Sequence, residues 1–193
     1  MNGPLPAPAL AEAALRGGDA PLDALAKAWL PHVYAWCHRL GGPRIDAEDA
    51  AHETLIVMCR GLQRVHAPGA FPSWLFGICR KVVANHRRRA WFRRWLPGPI
   101  VERVATTWGP DRALEARQAA ALVWGALDAL RAEQREVLVL CELEERSAAE
   151  VDVLLEIPIG TVKSRLRLAR AAFRRVLEPQ HIDSGEPVSV EVG

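Results

Sequence analysis

The feature that most constrains this chain is the spacing of its apolar residues. They recur at steps of three and four in one segment after another, and no segment shows sustained two-residue alternation bounded by hairpin turns. Leu22, Leu25, Trp29, Val33, Trp36 and Leu40 fall on one face of a single helix. Ala47, Ala51, Leu55, Met58 and Leu62 do the same on the next. An all-α fold is therefore expected.

Breakers and caps divide the pattern. A short helix over Ala9 to Arg16 ends at Gly17-Gly18, and a second begins near Pro21 and stops at Gly41-Gly42. Asp46 is placed to cap a third, running to about Leu62. After the loop from His66 to Ala70, Pro72 suits the first turn of a fourth, running to about Trp95. Residues 96–110 hold Pro97, Gly98, Pro99, Gly109 and Pro110, which marks this stretch as a flexible linker. Asp111 is a candidate cap for a helix to about Leu130, and Glu133 to Glu144 reads as another. Ser147 with Glu150 makes a capping box for a short helix to Leu155, and a last helix follows Pro158 through Leu177. The expected organisation is two small helical domains, 1–95 and 111–178, joined by the linker, with a disordered acidic tail over 179–193.

Composition excludes several classes. The longest stretch without Asp, Glu, Lys or Arg, Val65 to Cys79, is interrupted by Pro68 and Pro72, so no membrane insertion is expected. No basic segment precedes an apolar one at the N-terminus, which makes the cytoplasm the expected compartment. Cys37, Cys59, Cys79 and Cys141 are widely separated and the six histidines form no ligand pattern, so reduced thiols and no metal or other cofactor are expected. The net charge of +2 conceals segregation: residues 22–95 carry +7, 111–157 carry −6 and 158–178 carry +5. Two basic blocks flanking an acidic one suit two surfaces that meet a polyanion, with acidic surfaces left for something different.

Three constellations carry chemistry. The helices from Ser147 to Leu177, joined by a short turn at Glu156-Ile157, have the dimensions of a helix-turn-helix. Lys163, Arg167, Arg170 and Arg174 line one face of its second helix, with Ser164 and Arg165 near the front. Such a helix can read bases with its first turns and hold phosphates with the rest. Between Arg80 and Arg94 stand seven cations and no acid, interleaved with Asn85, His86, Trp91 and Phe92. Cations neutralise phosphates and exposed aromatics can stack on unpaired bases; Trp91 and Trp95 read equally as packing on the linker or as meeting DNA, and Trp74, Leu75, Ile78 and Val82 on the same helix read instead as core. The acidic cluster Asp46, Glu48, Asp49 and Glu53 is a capped, solvated helix start. Without a nearby nucleophile or metal partner it gives no reason to expect an enzyme.

The stretches DAEDAAHETLIVMCRGL (46–62), FPSWLFGICR (71–80) and IPIGTVKSRLRLAR (157–170), in that order and spacing, resemble an extracytoplasmic-function (group 4) sigma factor of the sigma-70 family. The resemblance covers about residues 9 to 178. It implies region 2 in the first domain, region 4 in the second, and a protein that directs core RNA polymerase to promoter DNA, often under an anti-sigma factor. It also implies that Asp46, Asp49 and Glu53 belong to the helix that docks on the polymerase. The minus-ten element and its unpaired strand fall to His66 through Ala70, Lys81, Asn85 and Arg88. The minus-thirty-five element falls to Thr161, Lys163, Ser164 and Arg165, with Arg167 and Arg170 behind them. Where the family prefers Gly, this chain has Glu156, so a positive φ is expected at that residue.

A stand-alone helix-turn-helix regulator is the alternative. It needs neither a polymerase-docking carboxylate face nor a second, separated DNA surface.

Overall fold

The computed structural model describes residues 5–93 and 110–178, and the side chains of 110–116 are not among them. The linker beyond Pro110, Arg94, Trp95 and the acidic tail lie outside the described residues. Those residues form an all-α structure. Its helices are α1 (Pro8–Leu15), α2 (Asp19–Gly41), α3 (Ala47–Gly61), α4 (Phe71–Arg93), α5 (Pro110–Ala129), α6 (Ala132–Leu138), α7 (Ala148–Leu155) and α8 (Ile159–Leu177).

The first four helices pack around aromatic side chains. Leu25, Trp29, Val33 and Trp36 of α2 are buried against Met58 of α3 and Phe71, Leu75 and Phe76 of α4. Trp36 meets Phe76 edge-on at 5.0 Å and Trp29 meets Phe71 at 5.3 Å, geometries that match ring edges to ring faces. Each fully buried large apolar side chain contributes about 1.5–3 kcal/mol by leaving water. α3 is capped as expected: Asp46 accepts from the Glu48 and Asp49 N–H groups at 3.0 and 3.1 Å. α2 begins two residues before Pro21, because a proline in the first turn removes only an N–H that has no partner within the helix.

The second group has α8 as its axis, with α5, α6 and α7 packed on it through Leu127, Val137, Val151, Val162 and Ala169. Two expectations fail here. Asp111 does not precede α5 but lies inside it, since the helix already includes Pro110, which suits a first turn. The helix expected over Glu133 to Glu144 is α-helical only to Leu138; Val139–Leu143 forms a wider π turn, with Glu144 N–H donating to the Val139 carbonyl at 3.0 Å. Apolar spacing cannot distinguish the two kinds of turn. The termination decides it: Glu145 takes a φ of 56°, which brings the Arg146 N–H onto the Leu140 carbonyl at 3.0 Å.

The two helix groups touch. Trp124 of α5 lies over Gly42 and meets the His38 ring edge-on at 5.7 Å. Gly42 has a φ of 68°, and a Cβ there would stand 3.1 Å from the indole, so glycine serves both the turn and the close approach.

Candidate nucleic-acid interface

The helix-turn-helix is assembled by local rules. Ser147 and Glu150 satisfy each other's backbone at the start of α7: the Glu150 N–H donates to Ser147 Oγ at 3.2 Å and the Ser147 N–H to Glu150 Oε2 at 2.8 Å. The Ser147 N–H and hydroxyl, both donating to its Oε2, hold the Glu150 carboxyl below its ordinary range. α7 ends at Glu156, whose φ of 54° and ψ of 44° are left-handed, as the family's glycine implied. Pro158 then caps α8, and its carbonyl accepts from Thr161 N–H at 2.7 Å. Ser164 Oγ donates to the Thr161 carbonyl at 3.0 Å, so its hydroxyl hydrogen is turned back onto the helix. Lys163 and Arg167 are exposed, Thr161 and Arg165 half-buried. Arg170 is exposed but paired with Glu142 at 2.9 Å. Asp152 is half-buried and makes no ion pair with Arg165 among the described residues.

On the basic helix α4, Leu75 and Val82 are buried as their core assignment requires, whereas Trp74 and Ile78 are half-buried and packed against the edge of the core. Trp91 and Phe92 are 53% and 57% exposed and pack edge-on at 5.1 Å. His66, Ala70, Lys81 and Arg88 are exposed, and Asn85 is half-buried, accepting from Arg88 at 3.1 Å. A cleft of about 400 Å³ is lined by His66, Ala70, Ser73, Trp74 and Lys81, and also by Glu156 from the helix-turn-helix. Three of the expected minus-ten residues thus share one surface. Asn85 and Arg88 lie further along α4 and do not line it.

In the acidic cluster Asp46 and Asp49 are exposed, whereas Glu53 is half-buried and turned onto α4. Its Oε2 lies 2.8 Å from His86 Nε2 and 4.0 Å from Arg89. Asp49 and Glu53 therefore do not share one plain solvent-facing surface.

The basic helix also meets acids from the second helix group, which single-helix reading missed. Arg80 Nε donates to Glu136 Oε1 at 2.7 Å, and Arg87 donates to Asp128 at 2.8 Å and to the Gly41 carbonyl at 3.1 Å. Asp128 is shared with Arg44 at 3.2 Å and with Arg135 at 3.4 Å. Arg39 pairs with the buried Glu144, and Ser73 donates to Glu156 at 2.9 Å. Burial pushes the Glu136 carboxyl up, opposed by Arg80 and, at longer reach, by Arg165. Burial and then the Arg87 charge push Arg135 down to about 10, with Asp128 opposing. The one sequence signal for this contact was the −6 block at 111–157, which faces the +7 block within the same chain.

Two family models match: sigma-70 region 2 over residues 25–93 and sigma-70 region 4 over residues 114–173. The chain belongs to the sigma-70 family. SigE of Mycolicibacterium smegmatis, an extracytoplasmic-function sigma factor, is 33% identical over 157 residues, which are 80% of this chain and 61% of that protein. The chain spans less than two thirds of that relative's length. Among solved structures, CnrH in complex with the cytosolic domain of CnrY aligns with a TM-score of 0.65 at 22% identity, covering 90% of this chain and 97% of that one. The sigma factor RpoE of Bartonella quintana, in complex with the anti-sigma factor NepR, aligns with a TM-score of 0.58 at 24% identity, covering 84% and 99%. Both share the fold. Region 2 of the sigma-70 family thus covers most of α2 and all of α3 and α4, and region 4 covers most of the helices from α5 to α8.

Proposed function

We propose that this chain is a sigma factor that binds core RNA polymerase and directs initiation at a small set of promoters, under control of an anti-sigma factor. The observation that carries the reading is the pairing of two separate cationic surfaces: the α4 face beside the His66–Ala70 loop, and the exposed front of α8 behind a well-formed helix-turn-helix turn. One surface suits an unpaired strand, with Lys81 for phosphates and exposed rings for bases; the other suits a duplex major groove. Asp46 and Asp49 supply an exposed acidic patch for the polymerase, with Glu53 at its inner edge. A stand-alone regulator would use the second surface alone.

The residue roles follow the same division. His66, Ala70, Lys81, Asn85 and Arg88 serve the minus-ten element; Thr161, Lys163, Ser164 and Arg165 read the minus-thirty-five element, and Arg167 and Arg170 hold phosphate. In the arrangement described, Glu136 and Asp128 occupy cations beside the first surface and Glu156 stands in its cleft. This is a closed form, and regions 2 and 4 separate when DNA and polymerase take up these contacts. The Bartonella quintana complex, in which a sigma factor of this fold is held by an anti-sigma factor, supports such a partner acting on this chain. The test is co-elution with core enzyme of the unaltered chain and of an Asp49→Lys variant. The proposal requires a stable complex with the former and a weakened one with the latter.

A further inference from the structure

The interior of the first helix group holds a pair of side chains that neither DNA binding nor polymerase docking uses. Cys37 of α2 and Cys79 of α4 are both fully buried, and their sulfurs stand 3.4 Å apart. The neighbouring Thr54 hydroxyl donates to the Ala50 carbonyl at 2.8 Å, and its oxygen lies 4.0 Å from Cys37 Sγ. The other two thiols are not part of this contact: Cys59 is exposed on α3 and Cys141 lies half-buried in the π turn.

We infer that Cys37 and Cys79 form a redox-modifiable pair, which a hydroperoxide converts into an internal disulfide joining α2 to α4. A disulfide needs its sulfurs at about 2.05 Å, so the pair must close by only about 1.4 Å. The two thiols are not equivalent. The hydrogen bond from Cys79 holds the Cys37 thiol below its ordinary range, while the same contact together with burial raises Cys79. Cys37 is therefore the attacking sulfur and Cys79 the resolving one.

The chemistry balances with the peroxide as sole oxidant. The Cys37 thiolate attacks one peroxide oxygen: an S–O bond forms, the O–O bond breaks, and the departing oxygen takes up the proton that Cys37 released. Cys37 is then a sulfenic acid. Cys79 attacks that sulfur: the S–S bond forms, the S–O bond breaks, and the leaving hydroxide takes the Cys79 proton as water. Two thiols lose two electrons and one hydroperoxide gains them. Because both sulfurs are shielded, the reaction proceeds through openings of the bundle and is slower than oxidation of exposed Cys59. The bond closes a loop spanning 42 positions that contains α3, and it fixes α4 to α2 immediately before Arg80 and Lys81.

The test uses the full chain carrying Cys59→Ser and Cys141→Ser, treated with hydrogen peroxide without denaturant. The expected result is loss of two hydrogens from the intact mass, a peptide linked through Cys37 and Cys79, and a melting temperature higher by about 10 °C, all reversed by a thiol reductant. Adding Cys79→Ser stops the reaction at a sulfenic acid on Cys37 that a dimedone-type reagent traps. Adding Cys37→Ser abolishes both products. A native, folded protein whose Cys37 and Cys79 peptides stay unlinked overturns the inference, as does a link that forms only after denaturation.

Discussion

Arg80 on the basic helix of region 2 donates to Glu136 of region 4 at 2.7 Å, so a cation of the region 2 surface is held by an acid of region 4. Arg87 and Asp128 repeat the arrangement two turns further along α4, and Asp128 also faces Arg44 and Arg135. Charge segregation in the sequence thus has an internal purpose besides an external one. Acids of region 4 neutralise cations of region 2 within the same chain.

Asp128→Asn should loosen this contact most, because it removes the shared partner of two region 2 guanidinium groups, Arg44 and Arg87. With Arg87 left partly buried without its counter-ion, the closed form should lose about 1–3 kcal/mol. Small-angle scattering on the full chain is expected to report a larger radius of gyration for the variant at low salt, and the unaltered chain to approach it as salt is raised. An identical radius at every salt concentration would show that apolar packing around Trp124, and not these charges, holds the regions together.

Asp49 and Glu53 of α3 should behave differently when reversed. Asp49→Lys alters an exposed side chain and should weaken core binding while leaving the melting temperature nearly unchanged. Glu53→Lys places a cation beside buried His86 and exposed Arg89, and should lower the melting temperature as well. Binding and melting measured on both variants separate the roles. Equal melting temperatures would mean that the Glu53 to His86 contact contributes nothing to folding.

Acidification should destabilise the chain through His32. This imidazole is buried against Trp29 and Trp36, and burial first, then the Arg146 charge, hold its pKa below 6.5, with Glu144 opposing. His38 is lowered in the same direction by burial and by Arg39. The unfolded chain therefore takes up these protons at a higher pH than the folded one. Stability should be complete above about pH 6.5 and fall as pH drops from there through the lower folded values. Thermal melts across that window check the slope, which His32→Gln should reduce.

Much of the fold is legible in the sequence. The faces of α2 and α3, the Asp46 cap, the Ser147 to Glu150 box and the left-handed Glu156 follow from periodicity, capping and the family's glycine preference, all local rules. The π turn after Leu138 was not legible, since its i to i+5 bonding leaves the apolar spacing unchanged. Nor was the Glu53 to His86 contact, or the pairing of Asp128 and Glu136 with α4. These depend on which helices meet, and a charged residue on an exposed-looking face carries no mark of its partner.

Glu156 carries backbone strain for the turn of the helix-turn-helix. A left-handed residue with a side chain costs about 1 kcal/mol relative to glycine, and the bond it accepts from Ser73 is exposed and weak. Glu156→Gly should raise the melting temperature of the full chain. A lower midpoint would mean that the Ser73 contact outweighs the strain.

Base reading at the front of α8 should be separable from phosphate contact behind it. Arg165→Ala should cost about 1–3 kcal/mol on the preferred upstream element and relax choice at one position, whereas Arg167→Ala should weaken all sequences alike. Binding to a set of single-position variants of that element distinguishes them, and a uniform loss for Arg165→Ala would assign it to phosphate.

The most direct test of the central claim is run-off transcription with purified core RNA polymerase on fragments of the source genome, with and without this chain. The account predicts discrete transcripts that appear only when the chain is added and that weaken with Asp49→Lys and with Arg165→Ala. Core enzyme giving the same products with and without the chain would contradict it.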